Sequence, residues 1–431
     1  MFSYDVVKKG LEGVEFDSAF ASLYGAGAAA QKPRYLRVLN AFGELFGKNN
    51  EIGFFSAPGR SEVGGNHTDH NHGKVLAAAI NLDAIAAVAK NGKDVIRLKS
   101  EGYDMDMVDI TDLEPKKAEY SKSKGLIRGV CAGFVARGYE IGGFDAATAN
   151  DVVSGSGLSS SASFEVLVGT ILNHLYNDGK VSPVEIAQIA QYAENEFFGK
   201  PCGLLDQMTC SVGGFVFMDF DDPSKPVIKP VKFEFESCGH ALCIVNTGGS
   251  HSDLTDEYAA VKNEMISVAQ RLGHSYLREV DEAQFFNSID LMRGVVGDRA
   301  ILRAKHFFSE NARVDKEVNA LENKEFGEVK KLVIKSGQSS YMYNQNVYSV
   351  KDAVSQPVSL GLCLCEELLD GKGAWRVHGG GFAGTVQAYI KNELVGEYKK
   401  TVEAVFGENN CQVYTIRPYG AATVTADKIN G

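Results

Sequence analysis

The sequence lacks an apolar run long enough to cross a bilayer. Its longest stretch, Val75 to Ala89, is interrupted by Asn81 and Asp83 and reads as buried strands. The opening MFSYDVVKKG has no apolar core behind a basic start, so no secretory leader is expected. An excess of positive charge is missing too. With 44 Lys and Arg against 55 Asp and Glu, the net charge of -11 offers no broad basic face, which argues against a DNA or RNA partner. The eight cysteines show no paired zinc-type spacing, and Cys363 and Cys365 fall in an apolar run, so a cytoplasmic setting without membrane attachment is expected. Repeats of about 20–50 residues and low-complexity tracts are also absent, which excludes solenoids and propellers.

What remains is an ordinary folded composition, 44% apolar and 23% charged. A chain of 431 residues exceeds one core, which is limited to roughly 250–300 residues, so two domains are expected, 1–210 and 211–431. Residues 31–48 carry Tyr35, Leu36, Val38, Leu39, Phe42 and Leu45 at helical spacing, with Gly47 as a stop. Short runs at 52–56, 84–89, 95–98 and 146–153 read as strands. Residues 160–176 align Phe164, Leu167, Val168, Ile171 and Leu175 on one stripe, behind serines placed to cap a helix. Further strands are expected near 215–220 and 241–246 and around a glycine cluster at 379–381, and helices near 256–272 and 360–369. Without strict βα alternation, this order predicts an α+β fold.

Four segments carry chemistry. The first is Gly155-Ser156-Gly157-Leu158-Ser159-Ser160-Ser161-Ala162, between a strand and the helix at 160. Glycines let backbone approach an anion, and free N–H groups at a helix start attract it, so the segment reads as a phosphate cradle. A plain capped turn is the alternative. No Lys follows, so it is no Walker loop, and the third glycine of a dinucleotide fingerprint is missing. The second segment is Ala57-Pro58-Gly59-Arg60, followed by Glu62 and then by Gly64 to Gly73, which includes Asn66, His67, Asp69, His70 and His72. Such polar density between apolar strands points to a hydroxyl-rich ligand, because each buried polar group left without a partner costs roughly 1–3 kcal/mol. A metal site of His67, Asp69, His70 and His72, or a solvated loop, would be the alternatives. The third is Glu194 with Gly199 to Met208, a fixed turn presenting Asp206. The fourth is Val377-His378-Gly379-Gly380-Gly381-Phe382, a glycine cluster between strands.

In this order the four segments resemble those of galactokinases in the GHMP kinase superfamily, over nearly the whole chain. The resemblance implies a two-domain fold with the active site in the cleft between the domains, and ATP-dependent phosphorylation of a sugar. Asp206 would take the proton of the attacking hydroxyl, with Arg60 beside it. Residues Gly155 to Ala162 would hold the ATP phosphates, and Ser161 and Glu194 would hold Mg²⁺. Glu62, Asn66, His67, Asp69, Gly203, Asp206 and Tyr258 would bind the sugar.

The chain departs from that family within the sugar signature. Most galactokinases have Asn-Leu-Ile-Gly-Glu-His where this chain has Glu62-Val63-Gly64-Gly65-Asn66-His67. Asn66 stands where a glutamate contacts the sugar's far hydroxyl, and exchanging carboxylate for amide removes a charge and adds a donor. The expected activity is galactose to galactose 1-phosphate. A sister kinase for a uronate or an N-acetylated galactose, and a non-catalytic sugar- and ATP-binding regulator, are the competing readings.

Overall fold

The computed structural model describes residues 1–152, 157–249 and 254–426, together with the backbone of 429–430. The chain folds into two units, one of 1–60, 79–214 and 417–431, the other of 61–78 and 215–416. This differs from the single cut expected at 210. The strands Glu51–Gly64 and Lys74–Lys90 are each long enough to belong to both units. The chain therefore leaves the first unit at Arg60, re-enters it at Ala79 and returns to it again at Arg417.

The first unit is a mixed sheet covered on both faces. The strands Ala422–Val424 and Phe144–Asn150 pair antiparallel with Glu51–Gly64 and Lys74–Lys90 respectively, and Val95–Ser100 pairs parallel with Phe144–Asn150. Residues 84–89 explain why the strand reads as a continuous apolar run. Ala84, Ala86 and Val88 pack with Ile127, Val130, Phe134, Val166 and Ile171 from helices, while Ile85, Ala87 and Ala89 pack with Phe20, Tyr35, Leu39 and Phe42 from the N-terminal helices. Alternate residues of a strand face opposite sides, so a strand buried on both must be apolar throughout. Asp83 interrupts this run because it has a purpose-built environment. Fully buried, it accepts from Arg34 (2.5 Å), Arg417 (3.0 Å), Tyr24 (2.7 Å) and Ser56. Burial would raise its pKa, and the two guanidiniums outweigh that and hold it below the usual carboxylate value. Arg417 thereby fixes the returning C-terminal segment in this unit.

The second unit has a four-stranded antiparallel sheet in the order Ala374–Val377, Gly384–Lys391, His240–Gly248, Cys411–Tyr414. Helices Pro357–Leu369 and Val395–Phe406 close one core over it through Cys365, Leu369, Tyr398 and Val402. A second core joins helices Thr255–Arg271 and Asp298–Glu322 through Val261, Met265, Val268, Ala304 and Phe307. In the same unit, residues 74–78 pair with the strand Phe215–Asp219.

The expected helices at 31–48 and 160–176 are observed at Gln31–Phe46 and Ser160–Tyr176. Helices Tyr4–Glu12, Asp17–Tyr24, Ser123–Ala136, Pro183–Tyr192, Asp298–Glu322, Phe326–Ser339 and Val395–Phe406 are additional to that reading. All eight cysteines are free thiols. Among the described residues, no helix is long and apolar enough to cross a membrane.

Candidate active site

Arg60, within the strand Glu51–Gly64, meets the phosphate segment directly, its backbone N–H donating to the Leu158 carbonyl (3.2 Å). The Arg60 side chain then bridges two elements. Its Nε donates to Asp206 Oδ1 (2.7 Å) and its Nη1 to the Gly157 carbonyl. Asp206 lies in the first turn of helix Leu205–Val212, where the helix end favours negative charge. Ser159 has a left-handed backbone (φ 66°) and donates its hydroxyl to Asp206 Oδ2. The serine cap expected for helix Ser160–Tyr176 is thus not made by Ser159, whose hydroxyl is committed to the aspartate instead. Burial would raise the Asp206 pKa, but Arg60 and the Ser159 hydrogen bond outweigh it and keep the group below the ordinary carboxylate value. Its side chain remains 37% exposed, so the ionised carboxylate has an open face.

Two residues beyond Ser159, Ser161 donates to Glu194 Oε1 (2.9 Å). Glu194 is 2% exposed, and its other oxygen accepts from Gln207 Nε2 (2.7 Å). Gln207 also reaches Glu165 Oε2 (3.3 Å), while Glu165 Oε1 is buried without a partner. Burial, reinforced by the Glu194 charge, pushes the Glu165 pKa well up. Lys200 approaches Glu194 Oε1 at 3.3 Å from a side chain that is 64% exposed. Ser160 accepts from Asn150 (3.2 Å), and Leu158 and Ala162 are buried, so these two contribute backbone to the loop. Gly155 and Ser156 lie outside the described residues.

Of the residues expected to bind the sugar, Glu62, Asn66, His67, Asp69 and Tyr258 lie in the second unit, and Gly203 and Asp206 in the first. Asn66 is 1% exposed and its amide is fully engaged by protein. Its Nδ2 donates to Glu62 Oε1 (2.9 Å) and the Gly379 carbonyl (2.8 Å), and its Oδ1 accepts from Asn346 (3.0 Å) and Ser340 (3.3 Å). Glu62 is neutralised by Arg376 at 2.6 Å. His67 Nε2 contacts the Gly380 carbonyl (2.9 Å), and the Tyr258 hydroxyl donates to the Gly381 carbonyl (2.9 Å). Burial pushes the Tyr258 phenol up to about 12. Asp69 opens a short turn, Asp69–Asn71, and is half-buried. His70 bonds Asn71 and packs its ring 5.6 Å from that of His67, while His72 stacks on Tyr276 at 3.7 Å. Among the described residues, no group of three or more His, Cys, Asp and Glu side chains is placed to hold a metal.

The sequence reading missed Gln207, Glu165, Arg376, Ser340 and Asn346, and also His306, whose Nε2 meets the Asn66 backbone carbonyl at 2.9 Å. Glu165 had a legible signal, an acid on the apolar side of helix Ser160–Tyr176. Asn344-Gln345-Asn346 is an unusual amide run, but nothing local connects it to Asn66, 280 positions away.

The galactokinase galactose-binding signature matches residues 40–90, and the N-terminal domain of GHMP kinases matches 125–214. A galactokinase of Streptomyces coelicolor is 30% identical over 372 residues, covering 85% of this chain and 91% of its own length. One from Glaesserella parasuis is 31% identical over 363 residues, covering 84% and 91%. The crystal structure of Lactococcus lactis galactokinase complexed with galactose aligns with TM-score 0.73 and 26% identity, over 89% of this chain and 97% of that one. Methanococcus jannaschii mevalonate kinase, at 15% identity and TM-score 0.61 over 85% and 98%, shares the fold. With the Arg60–Asp206 pair beside the serine-rich helix start, and with relatives of this identity aligned over most of both chains, the protein belongs to the galactokinase family of GHMP kinases, ATP-dependent sugar kinases.

Proposed function

We propose that this chain transfers the γ-phosphoryl group of ATP to the anomeric hydroxyl of galactose, giving galactose 1-phosphate. The observation that carries the reading is the Arg60–Asp206–Ser159 constellation at the start of helix Ser160–Tyr176. Asp206 accepts the proton of the attacking hydroxyl. Because Arg60 keeps it a weak base, that proton moves late, as negative charge gathers on the oxygen. Positioning and charge stabilisation then carry most of the catalysis, as is usual for phosphoryl transfer. Backbone N–H groups after Gly157 and at the helix start would receive the ATP phosphates.

Ser161 and Glu194 suit Mg²⁺. They offer hard oxygen donors, and Lys200, largely exposed, already brings a cation to the same carboxylate oxygen. Two protein oxygens, with phosphate and water completing the shell, is the usual manner in which Mg²⁺ is held beside a nucleotide. The ion would neutralise β- and γ-phosphate charge. On the sugar side, His67, Asp69 and Tyr258 of the second unit and Gly203 and Asp206 of the first would read hydroxyl positions, while Glu62 and Asn66 bond each other within the second unit.

A second reading, a sister sugar 1-kinase acting on a galacto-configured uronate or N-acetylated sugar, is favoured by Asn66, whose amide is already fully hydrogen-bonded to protein. Purified protein with MgATP, assayed for ADP release against galactose, galacturonic acid, N-acetylgalactosamine and glucose, separates the two. Stimulation by galactose above all others supports the first reading, and stimulation by another sugar with none by galactose removes it.

A further inference from the structure

The three carbonyls of Gly379, Gly380 and Gly381 are gripped one after another by Asn66, His67 and Tyr258, all of them in the sugar set. Asn346 holds the same turn. Its Nδ2 donates to the Gly380 carbonyl (3.1 Å) and to Asn66 Oδ1 (3.0 Å), and its own carbonyl accepts from Phe382 N–H (2.5 Å). The turn fits so closely around Asn346 that a Cβ on Gly381, which has φ +78°, would lie 1.9 Å from the Asn346 carbonyl oxygen. Asn346 is fully buried.

The orientation of every amide here is fixed by groups that can only accept. Carbonyl oxygens at Gly379 and Gly380 accept, so the nitrogens of Asn66 and Asn346 must face them. The amide oxygen of Asn66 then faces Asn346, which donates to it. The same logic applies to His67. The Gly380 carbonyl requires a proton on Nε2, and in the neutral ring that leaves Nδ1 as a lone pair.

We propose that Asn346, acting through Asn66 and the Gly379–Gly381 turn, locks His67 as a hydrogen-bond acceptor and is thereby a specificity-determining positioning residue of the sugar side. A ligand facing His67 must then present a donor. A hydroxyl satisfies that, whereas a carboxylate or carbonyl oxygen at the same place meets a lone pair. The consequence for specificity rests on the sugar-kinase reading; the hydrogen-bond assignment does not.

The experiment has one arm that needs no sugar. In full-length protein carrying ¹⁵N-histidine at pH 8, with the His67 signals identified by their loss in His67→Gln, two-bond correlations report which ring nitrogen bears the proton. The expected wild-type state is Nε2–H. Asn346→Ala and the isosteric Asn346→Asp, which has no amide donor, should both give a mixed tautomer. In the kinetic arm, using galactose or whichever panel sugar is the acceptor, both variants should raise the sugar KM roughly 10–100-fold. Their kcat and ATP KM should stay within about threefold, the split expected when binding geometry alone is disturbed.

A wild-type Nδ1–H tautomer overturns the proposal. So does an Asn346→Asp variant with an unchanged sugar KM, or a fall in kcat with a rise in both KM values alongside a large drop in Tm, which would mark Asn346 as merely structural. If no sugar stimulates turnover, the kinase reading fails by itself, and the tautomer measurement still decides the hydrogen-bond assignment.

Discussion

Two polar clusters, one in each unit, answer the same problem in different ways. In the first unit, Arg60 and Asp206 are paired at 2.7 Å, yet Asp206 keeps 37% of its side chain exposed, and the Lys200 partner of Glu194 is 64% exposed. In the second unit, Asn66 is 1% exposed with both ends of its amide bound, and Glu62 is closed off by Arg376 and Asn66. The first cluster leaves charge reachable, as the proposed reaction requires. The second turns its polarity inward to hold backbone carbonyls in place. Dense polar sequence between apolar strands can therefore mean contact with a ligand or support for whatever makes that contact.

The sharpest way to break this comparison is to remove the reactive charge from the first cluster. Asp206→Asn preserves shape and keeps one oxygen to accept from Arg60, with the Ser159 hydroxyl turned to accept from the new amide, but it removes the proposed base. Turnover should fall about 10²–10⁴-fold while sugar binding by calorimetry changes little. Near-wild-type turnover would leave Asp206 as a structural partner of Arg60. The low pKa of Asp206 adds a check of sign. The group stays ionised at every pH above its depressed value, so no acidic limb of the wild-type rate profile between pH 5 and 7 should trace to it.

The contrast also explains which parts of the molecule could be read in advance. Helix Ser160–Tyr176 was legible because its apolar stripe and preceding glycines are local. Helix Pro183–Tyr192 had an equally local signature, a Ser182–Glu185 capping box with Pro at the first position, and went unread. The single domain cut failed for a nonlocal reason: strands of 14 and 17 residues serve both units, and Arg417 returns to Asp83 across 334 positions. Arg60, Asp206, Ser161 and Glu194 came from motif order, and the structure brings each pair together. Asn66 was recognised as a departure, but its partners Asn346 and Ser340 are far along the chain, and no pattern within one segment shows that an amide must donate at one end and accept at the other.

The next test forces the second cluster to resemble its relatives. Asn66→Glu would set a carboxylate against Glu62 Oε1 and the Gly379 carbonyl, both acceptors, in a buried position. A destabilisation of about 3 kcal/mol is expected, typical of a buried charge without its partner, measured by urea unfolding. The double variant with Glu62→Gln supplies an amide donor and should recover part of the loss. If Asn66→Glu alone were as stable as wild type and the better kinase, the amide network would not be what holds residue 66.

A smaller effect is expected from the acid behind that network. Glu317 is fully buried, neither carboxylate oxygen has a hydrogen-bond partner, and it faces Gly64, where a Cβ would lie 1.8 Å from Oε2. A residue with a side chain at 64 could not share that space. Burial pushes its pKa up to about 8, although Arg376 and Arg313 pull the other way and Glu62 adds to the rise. A carboxyl that holds its proton more tightly when folded contributes its stability fully below about pH 4.5 and loses it as pH rises through about 8. Glu317→Gln removes that dependence. The difference in Tm between variant and wild type should therefore move in favour of the variant from pH 5 to pH 8 and level off above it, by about 2–4 °C for each kcal/mol released. A difference that stays constant across this range would mean that Glu317 is already ionised beside its arginines, and that the second cluster, like the first, carries balanced charge rather than neutral hydrogen bonds.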